Sequence, residues 1–124
     1  MIKSMLFAGA GGFIGTCLRF LTNKFCATFW NNPFPLATFI VNIAGCFLLG
    51  LLIGWLRRAG LVTSDLNAFF VVGLCGGLTT FSTFSLEILS LGNLSQWIPM
   101  ALYIALSIIV GLILMQTGIF ITGE

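Results

Sequence analysis

The sequence predicts an all-α membrane protein with four transmembrane helices per subunit, the third of them broken. Three observations carry that expectation. The 124 residues are 59% hydrophobic and only 6% charged, with a mean hydropathy of +1.15, whereas soluble domains carry about 25% charged residues. The apolar sequence is divided by Asn31-Asn32-Pro33-Phe34-Pro35, Thr63-Ser64-Asp65 and Gly92-Asn93-Leu94-Ser95. At about 20 residues per crossing, four helices fill the length and leave no soluble domain. The third segment contains Gly76-Gly77-Leu78-Thr79-Thr80-Phe81-Ser82-Thr83-Phe84. Glycine inside a helix costs roughly 1 kcal/mol relative to alanine, and freed backbone groups in hydrocarbon must find partners inside the protein or in a wet cavity.

Each element follows in order. The first span is expected over about 5–28, with Arg19 well inside its second half. Met1-Ile2-Lys3 and the apolar run after it resemble a signal peptide. Ala8-Gly9-Ala10 comes too early for cleavage and the apolar pattern continues, so an uncleaved helix is expected. The prolines at 33 and 35 stop this helix and open the next. The second span, about 36–56, has only Thr38 and Asn42 as polar interruptions, and Arg57-Arg58 anchor its end at the headgroups. Thr63-Ser64-Asp65 offers capping side chains for the third span, about 66–91. The fourth, about 96–120, begins beside the interface anchor Trp97. The chain reads as a single four-span domain, without a 20–50-residue repeat.

Charge sets the orientation. Lys3, Arg57 and Arg58 fall on the side of the termini, while Lys24 and Arg19 fall on the other. Three basic residues against two is nearly a tie under the positive-inside rule, which fits insertion both ways and an antiparallel pair. If Arg19 belongs to a pore and is not counted, the balance favours termini inside. Small-xxx-small pairs occur at Ala8/Gly12, Gly11/Gly15, Gly50/Gly54 and Ser107/Gly111. They serve either packing within one subunit or a dimer face. The four cysteines have no metal-type spacing and read as small buried hydrophobes. A net charge of +2 is too small for a nucleic-acid surface. The chain lacks histidine, a carboxylate pair and a thiol beside a base, so acid–base and covalent catalysis lack their usual groups.

The interrupted third span points to a channel or transporter. Unwinding near Leu78, at mid-membrane, leaves carbonyls at the end of one half-helix and N–H groups at the start of the next, around 79–81. The first set suits a hard cation and the second an anion. A glycine-permitted packing site in an intact helix is the alternative. Phe81 and Phe84 share a helix face, and Thr79 and Thr83 another. Edge-on rings touch an anion weakly while hydroxyls donate to it; the plainer alternative is packing and lipid contact. Asn42 faces protein or lines a pathway. Arg19 faces a wet vestibule or snorkels. Tyr103, Ser107 and Gly111 recur every four residues on the fourth span, and Glu87 is expected near the interface, with a carboxylate relay as the alternative.

The stretches Gly11–Phe20 (GGFIGTCLRF), Pro35–Gly45 (PLATFIVNIAG) and Gly73–Ser85 (GLCGGLTTFSTFS) resemble the Fluc/CrcB family of fluoride channels over essentially the whole chain. Ala37 stands where that family usually has glycine, and Thr16 where a small alanine is common. The resemblance implies an antiparallel, dual-topology homodimer in a bacterial inner membrane that passively exports fluoride through two pores. It implies Asn42, Phe81 and Phe84 as pathway residues, with Tyr103, Ser107 and Thr83 as hydroxyls along it and Arg19 at the vestibule. It also implies a structural sodium ion (Na+) held by backbone carbonyls of Gly76 and Thr79. Two rival classes are weaker. A four-span drug/proton exporter needs an acid in its first helix, and Met5 to Phe25 contains none. A structural scaffold subunit has no use for the broken span.

Overall fold

The computed structural model describes residues 1–123, and among them every regular element is helical. Helix α1 covers Ile2–Ala27, α2 Leu36–Ala59, and the last helix Trp97–Gly123. Between them the third span, Asp65–Asn93, is divided in two. Its first half, α3, runs over residues 65–78, and its second half, α4, is Phe81–Asn93; the last helix is therefore α5. Among the described residues, four segments are long and apolar enough to cross a membrane.

The helix ends follow local chemistry. α2 starts directly after Pro35 and stops at Gly60, whose φ of +72° is the left-handed conformation glycine adopts without a Cβ penalty. There the Leu61 N–H reaches the Leu56 carbonyl at 2.8 Å, and the Gly60 N–H reaches that of Arg57 at 3.2 Å. Those two bonds form a Schellman closure that occupies two orphan carbonyls. Ser64 caps α3, its hydroxyl accepting from the Asn67 N–H at 3.4 Å. Asp65 in that first turn is held by Ser4 (3.1 Å) and Lys3 (3.4 Å), which ties the start of α1 to the start of α3. Residues 68–75 of α3 carry wide i→i+5 turns, a local widening that often accompanies functional sites.

Packing sorts the helices into two tight pairs, α1 with α3 and α2 with α5. Both seams rest on glycine. A Cβ at Gly11 would collide with the Phe69 carbonyl, and one at Gly15 would lie 2.8 Å from the Leu78 N–H. From the other side, a Cβ at Gly73 would meet Ala8 and Gly12 backbone, and one at Gly77 would lie 2.7 Å from the Gly12 oxygen. On the second seam Gly50 abuts the Met115 backbone, Gly118 abuts Phe47 and Leu51, and the Thr122 hydroxyl donates to the Leu51 carbonyl at 2.6 Å. The pairs Ala8/Gly12, Gly11/Gly15 and Gly50/Gly54 thus serve contacts within the chain. Backbone approach of this kind supplies dispersion contacts where lipid removes the hydrophobic drive for helix association. Large apolar side chains such as Phe13, Leu102 and Ile113 remain exposed on the outside, as a lipid-facing surface requires.

The seams meet at the break. A Cβ on Gly45 of α2 would collide with the Thr79 methyl, so α2 lies directly against the point where α3 ends.

Candidate functional site

The helix does not open at the glycines. Gly76 and Gly77 keep helical geometry, and the backbone becomes extended at Thr79 (φ −88°, ψ 158°) and Thr80 (φ −152°, ψ 121°). The Thr79 hydroxyl bonds back to the Cys75 carbonyl at 2.8 Å, closing the last turn. Thr80 then caps α4, its Oγ1 accepting from the Thr83 N–H at 3.2 Å. Because Thr79 is extended, Thr79 and Thr83 do not share a helix face. Phe81 and Phe84 both lie in the first turn of α4, with ring centroids 6.2 Å apart.

Two side chains from other helices satisfy the freed backbone. Asn42 on α2 grips Thr80 with both ends of its amide: Oδ1 accepts from the Thr80 N–H at 2.8 Å, and Nδ2 donates to the Thr80 carbonyl at 3.2 Å. The Thr80 N–H would otherwise serve the Gly76 carbonyl in a continuous helix, so this bond releases that carbonyl. Arg19 on α1 donates from Nε to the Gly77 carbonyl at 3.0 Å. Its charge is thereby placed at the carbonyl end of α3, where the helix dipole favours a cation.

Beside the break lies an open cleft of about 440 Å³. Of the candidate residues, Asn42, Gly76, Thr79, Phe81, Phe84 and Ser107 line it, while Arg19, Thr83 and Tyr103 do not. Phe81 is 80% exposed at its mouth. The Ser107 hydroxyl is buried in the cleft wall and has no hydrogen-bond partner among the described residues. The first turn of α4 opens here, bringing the partial positive charge of its backbone N–H groups to the same place. The cleft thus combines donors, two aromatic rings and a positive helix end, which is a chemistry for small anions.

Tyr103 sits deeper, with no exposed surface. Its ring packs on Phe84 at 5.0 Å, and its hydroxyl donates to Glu87 Oε1 at 2.8 Å. The other Glu87 oxygen accepts from the buried Thr38 hydroxyl at 3.1 Å. Glu87, expected near the interface, bonds Thr38 in the first turn of α2 and joins three helices next to the candidate site. An acid inside an apolar run was the available signal, because such a group requires partners.

The description "CrcB-like protein, Camphor Resistance (CrcB)" matches residues 6–119 of this chain. The chain belongs to the CrcB-like family. Its relatives include a "Fluoride-specific ion channel FluC" of Flavobacterium psychrophilum, 42% identical over 99% of both chains. Proteins of the same name from Azobacteroides pseudotrichonymphae and Pseudomonas putida are 38% and 41% identical, each over 98% of both chains. With its four candidate spans, this member of the family is a multi-pass bacterial membrane protein.

Proposed function

We propose that the chain conducts fluoride passively out of the cell as an antiparallel homodimer in the bacterial inner membrane, and that it is not an enzyme. The supporting observation is the cleft at the broken span, where Asn42, Phe81, Phe84 and the unpartnered Ser107 hydroxyl come together. The family membership and the name its relatives carry supply the ion.

Physical chemistry gives the steps. Fluoride is small and strongly hydrated, so a narrow path must replace much of its water shell. Asn42 has one amide hydrogen left after bonding Thr80. That hydrogen, the Ser107 hydroxyl and the α4 N–H groups donate to the ion, while the Phe81 and Phe84 edges add weaker contacts. Binding distributed over several weak sites admits the ion without trapping it. Chloride is larger and fits the same donors less well. Arg19 holds positive charge one helix away from the path. Thr83 extends the hydroxyl track beyond the cleft in this reading, while Tyr103, whose one hydroxyl proton goes to Glu87, backs the Phe84 ring.

The open side of the cleft calls for a second copy to complete the pathway. Gly76 and Thr79 fit the sodium site that such a dimer centre implies. The Gly76 carbonyl has lost its helical donor to Asn42, and both residues line the cleft. Two carbonyls per chain become four across a two-fold axis, a donor set suited to a small hard cation. Bound there, sodium would tie the two chains and raise the local potential for anions.

Reconstituted vesicles loaded with fluoride or chloride test this reading. Electrode-detected efflux should be fast for fluoride and near background for chloride. Vesicles that retain fluoride would refute it.

A further inference from the structure

We propose that Phe34, in the α1–α2 loop, is a positioning residue for the pathway ring of Phe84, acting through the buried ring of Tyr103. The proposal rests on the fluoride-conducting reading of the cleft and assigns a new role to a residue outside it.

The loop is built to hold Phe34 in one place. Pro33 and Pro35 restrict the backbone on either side. The Phe34 N–H donates to Asn32 Oδ1 at 3.0 Å, an Asx turn. Its carbonyl accepts from both Trp30 Nε1 at 2.7 Å and the Leu36 N–H at 2.8 Å. Both backbone groups are therefore engaged, by three different donors and acceptors.

The ring so fixed meets Tyr103 edge to face, with centroids 5.5 Å apart and planes at 78°. Phe39 braces it from another direction at 5.4 Å. Tyr103 in turn packs on Phe84 at 5.0 Å, and Phe84 lies 6.2 Å from Phe81. Four rings thus run in contact from the loop to the mouth of the cleft. The Tyr103–Glu87 hydrogen bond fixes the hydroxyl end of the tyrosine but leaves the ring able to turn about its long axis. Phe34 closes off that rotation on one side and Phe84 on the other. Removing Phe34 leaves a ring-sized void beside Tyr103. Tyr103 then turns into that space, and Phe84 no longer presents the same edge to a passing ion. Offset and edge contacts between aromatic rings are directional, so the orientation of one constrains the next.

Tyr103 is the chain's single tyrosine, which gives the coupling a spectroscopic signature. Full-length protein labelled with 3-fluorotyrosine reports the Tyr103 environment by fluorine NMR, and the unlabelled protein reports fluoride efflux from vesicles. Phe34→Leu should move or broaden the tyrosine resonance and slow fluoride efflux about fivefold to tenfold, and Phe34→Tyr, read by efflux alone because it adds a second tyrosine, should restore the rate to within about twofold of wild type. In a Phe84→Leu background, Phe34→Leu should slow the residual flux by less than about twofold, because the ring it positions is gone.

An unmoved tyrosine signal, an unchanged efflux rate in Phe34→Leu, or the same proportional slowing in both backgrounds would overturn the role of Phe34. Wild-type vesicles that retain fluoride would instead overturn the conduction reading, and this role with it. If Phe34→Leu does not elute as wild type on size exclusion, Asn32→Ala removes the bond to the Phe34 N–H and keeps the ring. The same two measurements then apply, with the same expected directions.

Discussion

Residues 65–78 and Phe81–Asn93 belong to one span, yet they meet the rest of the chain through different atoms. The first half presents backbone: Gly73 and Gly77 bring it against Ala8, Gly12 and Thr16 so closely that a side chain has no room. The second half presents side chains. Phe81 is 80% exposed, Phe84 rests on Tyr103, and Glu87 joins Thr38 and Tyr103. The difference separates two tasks. A rigid backbone seam fixes where the first half ends, so that Asn42 and Arg19 meet the opened turn at hydrogen-bond distance. The second half, with fewer backbone contacts, is free to display rings and hydroxyls to a cleft.

The sharpest way to break this comparison lies within one dipeptide. A Cβ on Gly77 would sit 2.7 Å from the Gly12 oxygen and 3.1 Å from the Thr16 nitrogen, whereas one on Gly76 meets only the Val71 oxygen at 4.0 Å. Backbone has no alternative rotamer with which to yield. Gly77→Leu should therefore cost more than about 3 kcal/mol and yield little monodisperse protein. Gly76→Ala should fold normally, because alanine improves helix propensity by roughly 1 kcal/mol. Size-exclusion profiles of the two variants decide the matter. Equal behaviour would show that the α1–α3 seam is looser than its glycines imply.

Asn42 stands where the two halves meet, and its substitution divides structure from conduction. Asn42→Asp keeps an acceptor for the Thr80 N–H but loses the donor to the Thr80 carbonyl and adds a negative charge to the cleft. Fluoride efflux should fall by about 100-fold or more, since like charge in a narrow path opposes an anion directly. Asn42→Ala leaves both Thr80 groups unpaired and should destabilise the fold by about 1–2 kcal/mol, near the membrane values for such bonds. Efflux assays and thermal melts on both variants separate the effects. Normal fluoride release through Asn42→Asp would remove this residue from the pathway.

The four spans were legible because turns punctuate an apolar sequence at regular intervals, and the interruption was legible in the clustering of glycines and hydroxyls at 76–84. Its position, near Leu78 with the next half-helix starting around 79–81, was legible as well, since the chain becomes extended at Thr79 and Thr80 and α4 begins at Phe81. What local propensity did not show is that both glycines stay helical, Gly77 pressed against the backbone of Gly12 and Thr16. Arg19 shows a similar limit. Vestibule and snorkel were the two alternatives for its charge, and neither names the partner its Nε takes, the Gly77 carbonyl 58 residues away. The Glu87 network was hidden for the same reason, since Thr38 and Tyr103 lie 49 and 16 residues from it on other helices. Local pattern announces that a buried polar group needs a partner. Only tertiary packing says which one.

The carbonyl side of the break sharpens the comparison with an ion. If Gly76 and Thr79 of two copies hold sodium, its removal should loosen the dimer without unseating the α1–α3 seam. Purification with sodium exchanged for a large organic cation should lower the melting temperature by a few degrees, consistent with about 1–2 kcal/mol of linked binding. An indifferent melt would argue against sodium at these carbonyls.

The smallest expected change in stability is at Phe81. Its ring is mostly exposed and contacts Phe84 only at 6.2 Å, so Phe81→Ile removes no core and should leave the melting temperature within about 1–2 °C. Phe84→Ile also loses the ring contact with Tyr103 at 5.0 Å and should melt lower by several degrees. Both should slow fluoride efflux, by roughly threefold to tenfold for Phe81→Ile, because an aliphatic side chain offers no positive ring edge to an anion. The informative pattern is therefore a flux defect without a stability defect at Phe81, and both together at Phe84. A Phe81→Ile variant with full efflux would mean that the exposed ring serves the packing of a second copy, and that the display of rings by the second half is structural after all.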